Sequence, residues 1–251
     1  MKDLLVDEVE GVEYIESLPA RQGIASDLAI VERILRNRRV FFAEIRDEIG
    51  LRDKIVSMLV ASFVFLGLYG GVMGAAHSVP QVLSSAVKLP LLFVVTLFIC
   101  APSLYFFNIL FGSRQSILQN IALMLTAMTT TSVLLVSLAP VTLFFLSTTS
   151  GYQFFKLLNV AIFGIAGSMG LVFLKQGFEH SVDADNAEGR GARRMLFVLW
   201  MILYAFVGTQ MAWTLRPFMG APDEPFRIVR QVGGNFYSNV LDSIVSFLGG
   251  L

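Results

Sequence analysis

The sequence predicts an all-α fold: a polytopic transmembrane helical bundle of about five spans, with an N-terminal amphipathic juxtamembrane helix and a C-terminal surface amphipathic helix. Three observations predict it. Apolar residues make up 55% of the 251-residue chain. Charged residues make up only 15%, where soluble domains carry about 25%. The charges are also segregated: no Asp or Glu occurs from Ile55 to Phe178. That stretch is too long for a soluble core and suits several crossings of about 20 residues each. Net charge is zero, so only the distribution of charge is informative.

Residues 1–24 read as an acidic tail, with six acids and Lys2 as the lone base in the first 20 positions. They lack the basic-then-apolar order of a cleavable signal, so the first span is expected to act as an uncleaved signal anchor. Residues 25–54 read as a cytoplasmic basic amphipathic segment. Val31, Ile34, Leu35, Phe41, Phe42, Ile45 and Ile49 recur at near-helical spacing, with Arg33, Arg36, Arg38, Arg39, Arg46 and Arg52 between them. Such a helix beside a span is expected to lie in the headgroup layer; the alternative is a short helix packed on the protein's own loops.

Residues 55–216 hold the five expected spans. The first, 55–76, carries Gly67-x-x-x-Gly71 and Gly70-x-x-x-Gly74, a spacing that lets helix backbones approach closely in lipid. Whether the partner helix is internal or another chain is open at this stage. His77-Ser-Val-Pro80 is expected to break the chain before the second span, 89–111, where Pro90 sits in the first turn and Pro102 inside. The third span, 117–138, meets Pro140, after which Val141–Leu146 either continues it or forms a separate element. The fourth, 154–174, carries Gly164, Gly167 and Gly170 on a close-approach face. The fifth, 195–213, ends in Trp213-Thr-Leu-Arg216-Pro217-Phe218, where a Trp beside an Arg marks a membrane–water boundary.

Residues 217–251 read as an extracytoplasmic segment. Phe236, Tyr237, Val240, Leu241, Ile244, Val245 and Leu248 form an apolar side of a helix that Asn235 can cap. At about 1.5 Å per residue it is too short to cross about 30 Å of hydrocarbon. It is expected to lie on the surface or dock on the bundle. Arg216 is expected either to bond carbonyls or a lipid phosphate, or to snorkel at the boundary.

Orientation follows from Lys and Arg. With the N-terminus inside and five spans, 14 of these 19 residues fall on the cytoplasmic side. The remaining five are Lys88, Lys156, Arg216, Arg227 and Arg230. The positive-inside rule then places the N-terminus in the cytoplasm and the C-terminus outside.

Little reactive chemistry is visible. The central spans hold no acid, against a titratable transport relay. Thr126, Thr129, Thr130, Thr131 and Ser132 are a candidate polar path; the plainer reading bonds their hydroxyls back to helix carbonyls or across helices. Cys100 is the only cysteine, which excludes an intrachain disulfide and a cysteine metal cluster. The Glu179–Asp185 stretch, with His180, falls short of a closed metal site, and read from Asp183 it lacks the ligands of a calcium loop. No catalytic nucleophile, phosphate loop or zinc motif appears. No cofactor, metal or nucleic-acid partner is expected.

The stretch Arg39-Val-Phe-Phe-Ala-Glu-Ile-Arg46 ahead of five spans resembles bacterial members of the Yip superfamily. Three further stretches resemble signatures of a family of bacterial multi-span membrane proteins. They are Lys88-Leu-Pro-Leu-Leu through Pro102-Ser-Leu-Tyr-Phe-Phe-Asn108, Gly208 through Trp213 to Phe218, and Gly234-Asn-Phe-Tyr237. The resemblance covers Arg39 to the C-terminus. It implies a compact five-helix membrane domain in the bacterial inner membrane and transfers no catalytic residue. The functional expectation is a non-enzymatic scaffold, assembly factor or accessory subunit whose partners are membrane lipids and other membrane proteins or further copies of itself. The alternative is a channel or uncoupled small-solute transporter.

Overall fold

The computed structural model describes residues 24–110, 115–148, 151–181, 190–220, 225–229 and 234–249. The acidic tail before position 24 and the 182–189 part of the polar loop lie outside the described residues. Regular structure among the described residues is helical: α1 (Ile24–Arg36), α2 (Arg38–Arg46), α3 (Leu51–Gly74), α4 (Val79–Leu110), α5 (Ile117–Ser137), α6 (Ala139–Thr148), α7 (Tyr152–Ser181), α8 (Arg190–Thr214) and α9 (Phe236–Leu248). Five stretches are long and apolar enough to cross a membrane: Leu51–Gly74, Val79–Phe106, Ile117–Thr148, Tyr152–Glu179 and Phe197–Thr214. This is the architecture of a multi-pass membrane protein.

The third stretch joins α5 and α6. At Leu138 the backbone bends yet keeps its ladder, with Leu138 N–H donating to Leu134 O and Thr142 N–H to Leu138 O, both at 3.1 Å. Pro140 sits in the first turn of α6, where its missing N–H costs little. Val141–Leu146 therefore continues the third span. The second span begins at Val79 rather than Leu89, because Pro80 also falls in a first turn. Pro90 and Pro102 are both inside α4.

The spans pack as a bundle around α5, where every residue from Ala122 to Ser132 is buried. α5 packs on α3 and α7, α3 packs on α4, and α8 packs along α4. The end carrying α1 and α2 is here the proximal end, and the opposite one the distal end. Between α3 and α4 the backbones nearly touch. A Cβ on Gly70 would collide with the carbonyl of Ser85, and one on Gly74 with that of Gln81. Carbonyls facing glycine Cα atoms at this range are a recurring feature of close helix pairs. The partner of this glycine face is thus internal.

Residues 25–54 pack one side on the protein itself. Asn37 separates α1 from α2, and their apolar side turns inward: Ile34, Phe41, Phe42 and Ile45 are at most 1% exposed. Phe42 packs over Gly177 of α7, where no side chain intervenes. Burying each such side chain is worth about 1.5–3 kcal/mol, which holds the pair on the bundle. Glu44, itself buried, locks it there. Arg33 donates to both its oxygens at 2.6 and 2.8 Å, and Lys54 of α3 lies 3.0 Å from Oε2. Gln119 of α5 adds a bond to the carbonyl of Arg46 at 2.7 Å.

Candidate functional site

Irregular backbone inside a bilayer is tolerated only where protein satisfies its polar groups. The distal end of this bundle holds an irregular segment whose carbonyls are received by side chains of α4. α8 stops at Thr214, and Gly208, six residues earlier, lies beside Thr96 of α4. At about 1.5 Å per residue α8 therefore ends well short of the start of α4 at Val79. Residues 215–220 cover the remaining distal turns of α4 in non-helical form, including a cis Arg216–Pro217 peptide.

Three side chains on α4 receive that segment. Gln81, Ser85 and Lys88 stand at i, i+4 and i+7, one face of a helix. Gln81 Nε2 donates to the carbonyls of Pro217 at 2.8 Å and Phe218 at 3.1 Å. Ser85 Oγ donates to the same Phe218 carbonyl. Lys88 Nζ donates to Pro217 O at 3.2 Å and to the carbonyl of Ile228. All three side chains are buried. Among the described residues Lys88 pairs with no carboxylate, and its partners there are the two main-chain carbonyls. Gln81 Oε1 has no hydrogen-bond partner among the described residues.

The segment closes on Gly220, whose φ of +68° favours glycine and whose missing side chain makes room for the ring of His77. The Arg216 guanidinium lies 3.5 Å from the ring centroid of Trp213 and donates to the Trp213 carbonyl at 3.2 Å. Trp213 Nε1 in turn donates to Gly234 O at 3.1 Å. Asn235 Oδ1 then accepts from Ser238 N–H at 2.8 Å and caps α9. One chain of contacts thus joins Trp213, Arg216, Pro217, Phe218 and Asn235 to Lys88. The arrangement can hold backbone carbonyls and fix the segment on the bundle.

The remaining sequence-derived candidates lie elsewhere. Thr126, Thr129, Thr130 and Thr131 are all buried, and each hydroxyl donates to the carbonyl four residues back. Thr129 also meets Ser62 of α3 at 3.0 Å, while Thr131 faces Ala166 of α7 at 3.4 Å. Thr126, which meets Met58 Sδ at 3.5 Å, and Thr129 thus turn toward α3, and Thr131 toward α7. Nearer the distal end, Tyr69 of α3 donates to Asn159 Oδ1 at 2.9 Å and lies 3.3 Å from the Thr142 hydroxyl. Of the remaining glycines, Gly67 and Gly71 make ordinary contacts with α4, and Gly170 takes the close approach of Thr131 and Ala127. Gly164 and Gly167 have nothing within 4 Å of a Cβ position. They do not share the close approach seen at Gly170. Among the described residues no group of three or more His, Cys, Asp or Glu could hold a metal.

Comparison with protein-family models, curated proteins and solved structures returns no match. The distal site therefore rests on its own geometry. Sequence reasoning singled out its Trp213–Phe218 and Gly234–Tyr237 parts but missed Gln81 and Ser85. Their signal was present as i, i+4, i+7 spacing with Lys88. It was obscured by placing the start of the second span at Leu89, which left all three in a loop.

Proposed function

We propose that the chain is a non-enzymatic membrane scaffold, assembly factor or accessory subunit of a larger complex. In this reading it sits in a bacterial inner membrane with the N-terminus cytoplasmic and the C-terminus outside. The observation that carries the proposal is the fate of the interior hydroxyls. Thr126, Thr129, Thr130 and Thr131 are spent on their own helix, and Thr129 and Thr131 turn to different neighbours, which favours a solid interior over a conduit. The open flank at Gly164 and Gly167 suits a helix supplied by another polypeptide, since small residues favour close helix contact in lipid. The excess of Lys and Arg on the N-terminal side supports the orientation.

Mild-detergent extraction from native membranes followed by mass spectrometry tests it. The wild-type chain is expected in a larger assembly. Gly164→Leu with Gly167→Leu should release it as a monomer with unchanged thermal unfolding. Recovery of wild type solely as a monomer contradicts the proposal. Liposome flux that falls when Thr129, Thr130 and Thr131 become Val would favour the conduit instead.

A further inference from the structure

α9 is turned the opposite way from a helix that buries its apolar side. Tyr237, Leu241, Ile244, Val245 and Leu248 follow i, i+4, i+7, i+8 and i+11, a single ridge, and all are exposed, Val245 at 70% and Leu248 at 64%. The side facing the bundle is partly polar: Ser243 is 2% exposed and accepts from Lys156 Nζ of α7 at 2.6 Å. Asp242 and Ser246 occupy the third side and are also exposed. The helix thus has three faces of different chemistry.

Its neighbours set its depth. The Tyr237 hydroxyl lies 3.0 Å from Thr209 Oγ1, and its ring stacks on Phe206 at 6.2 Å. These residues precede the end of α8 by five and eight positions, so α9 starts one to two turns inside the span. From there it crosses to α7, where Phe247 meets Phe154 at 6.1 Å. The ridge is also continuous with an existing apolar surface. Met195, Leu199, Ile202 and Phe206 form an exposed line on α8, and the Phe206–Tyr237 stack joins that line to the ridge.

We propose that residues 215–220 and α9 lie within the distal leaflet, and that the outward ridge of α9 is an interaction surface for phospholipid acyl chains. The polar cradle of Gln81, Ser85 and Lys88 makes the non-helical descent tolerable at that depth. The three faces of α9 then meet bundle, hydrocarbon and headgroup layer respectively.

The test uses the full wild-type chain in phosphatidylcholine vesicles carrying a lipid with a photoactivatable carbene precursor in its acyl chain. Peptide mapping is expected to find adducts on Leu241, Val245 and Leu248 and none on Ser243. A second measurement places nitroxides at Leu241→Cys, Val245→Cys and Ser246→Cys in a Cys100→Ala chain. Oxygen collisions should exceed those of a water-soluble nickel reagent severalfold at 241 and 245, with the order reversed at 246. Nickel access at 241 and 245 would mean water covers the ridge. Low access to both reagents, without adducts, would mean protein covers it, a second copy included. Either result overturns the proposal.

Discussion

Gly70 and Gly164 are the same residue type in two spans, and only their surroundings separate them. At Gly70 the carbonyl of Ser85 occupies the space a Cβ would need, while Gly164 faces open space. Gly70→Ala forces α3 and α4 apart and should cost about 1–3 kcal/mol, as overpacking does. Gly164→Ala should stay within about 0.5 kcal/mol of wild type. Unfolding of both variants in the same detergent checks this; equal losses would contradict the packing described. The sequence showed that both positions were small and helical. It did not show which of them another backbone touches, because glycine spacing is identical whether the partner is internal, external or absent. The same limit applied to Thr126–Thr131: a hydroxyl lining water and one bonded to its own helix have the same sequence signature.

At the level of elements, the helices were more legible than their ends. All five long apolar stretches followed from hydropathy, since a bilayer demands long uninterrupted apolar runs. Ends depended on proline, whose meaning is positional: Pro80 and Pro140 looked like breaks and serve as first-turn residues. Starting α4 at Val79 turns Lys88 from a loop cation into a buried one. That change carries a prediction. Lys88→Met removes the donor to the Ile228 carbonyl and leaves that of Pro217 to Gln81 alone, a loss of about 1.5–3 kcal/mol for bonds from a charged donor. The covering segment should loosen while the spans persist. Trypsin cleavage after the exposed Arg227 should accelerate, with helical circular dichroism unchanged. Unaltered cleavage would show that Lys88 does not hold the segment. The amphipathic ends were legible as helices but not in facing. Ile34, Phe41, Phe42 and Ile45 of α1 and α2 face the bundle, whereas the ridge of α9 faces away. Periodicity identifies an apolar side and says nothing about whether protein or lipid covers it.

For the whole molecule, the governing quantity is the number of crossings. The continuous ladder through Leu138 and Thr142 keeps α5 and α6 in one crossing and leaves five candidate spans. Five crossings would put the segment before α3, held by Glu44, and the segment after α8, held by Lys88, on opposite sides of the membrane. Cysteine accessibility tests this most directly. In a Cys100→Ala chain, a single cysteine replaces the exposed Arg38 of α2 or the exposed Arg227 of the distal segment. Intact cells are treated with a membrane-impermeant maleimide before and after permeabilisation. The account predicts that Arg227→Cys reacts in intact cells and Arg38→Cys only after permeabilisation. Labelling of both from the same side would contradict five crossings.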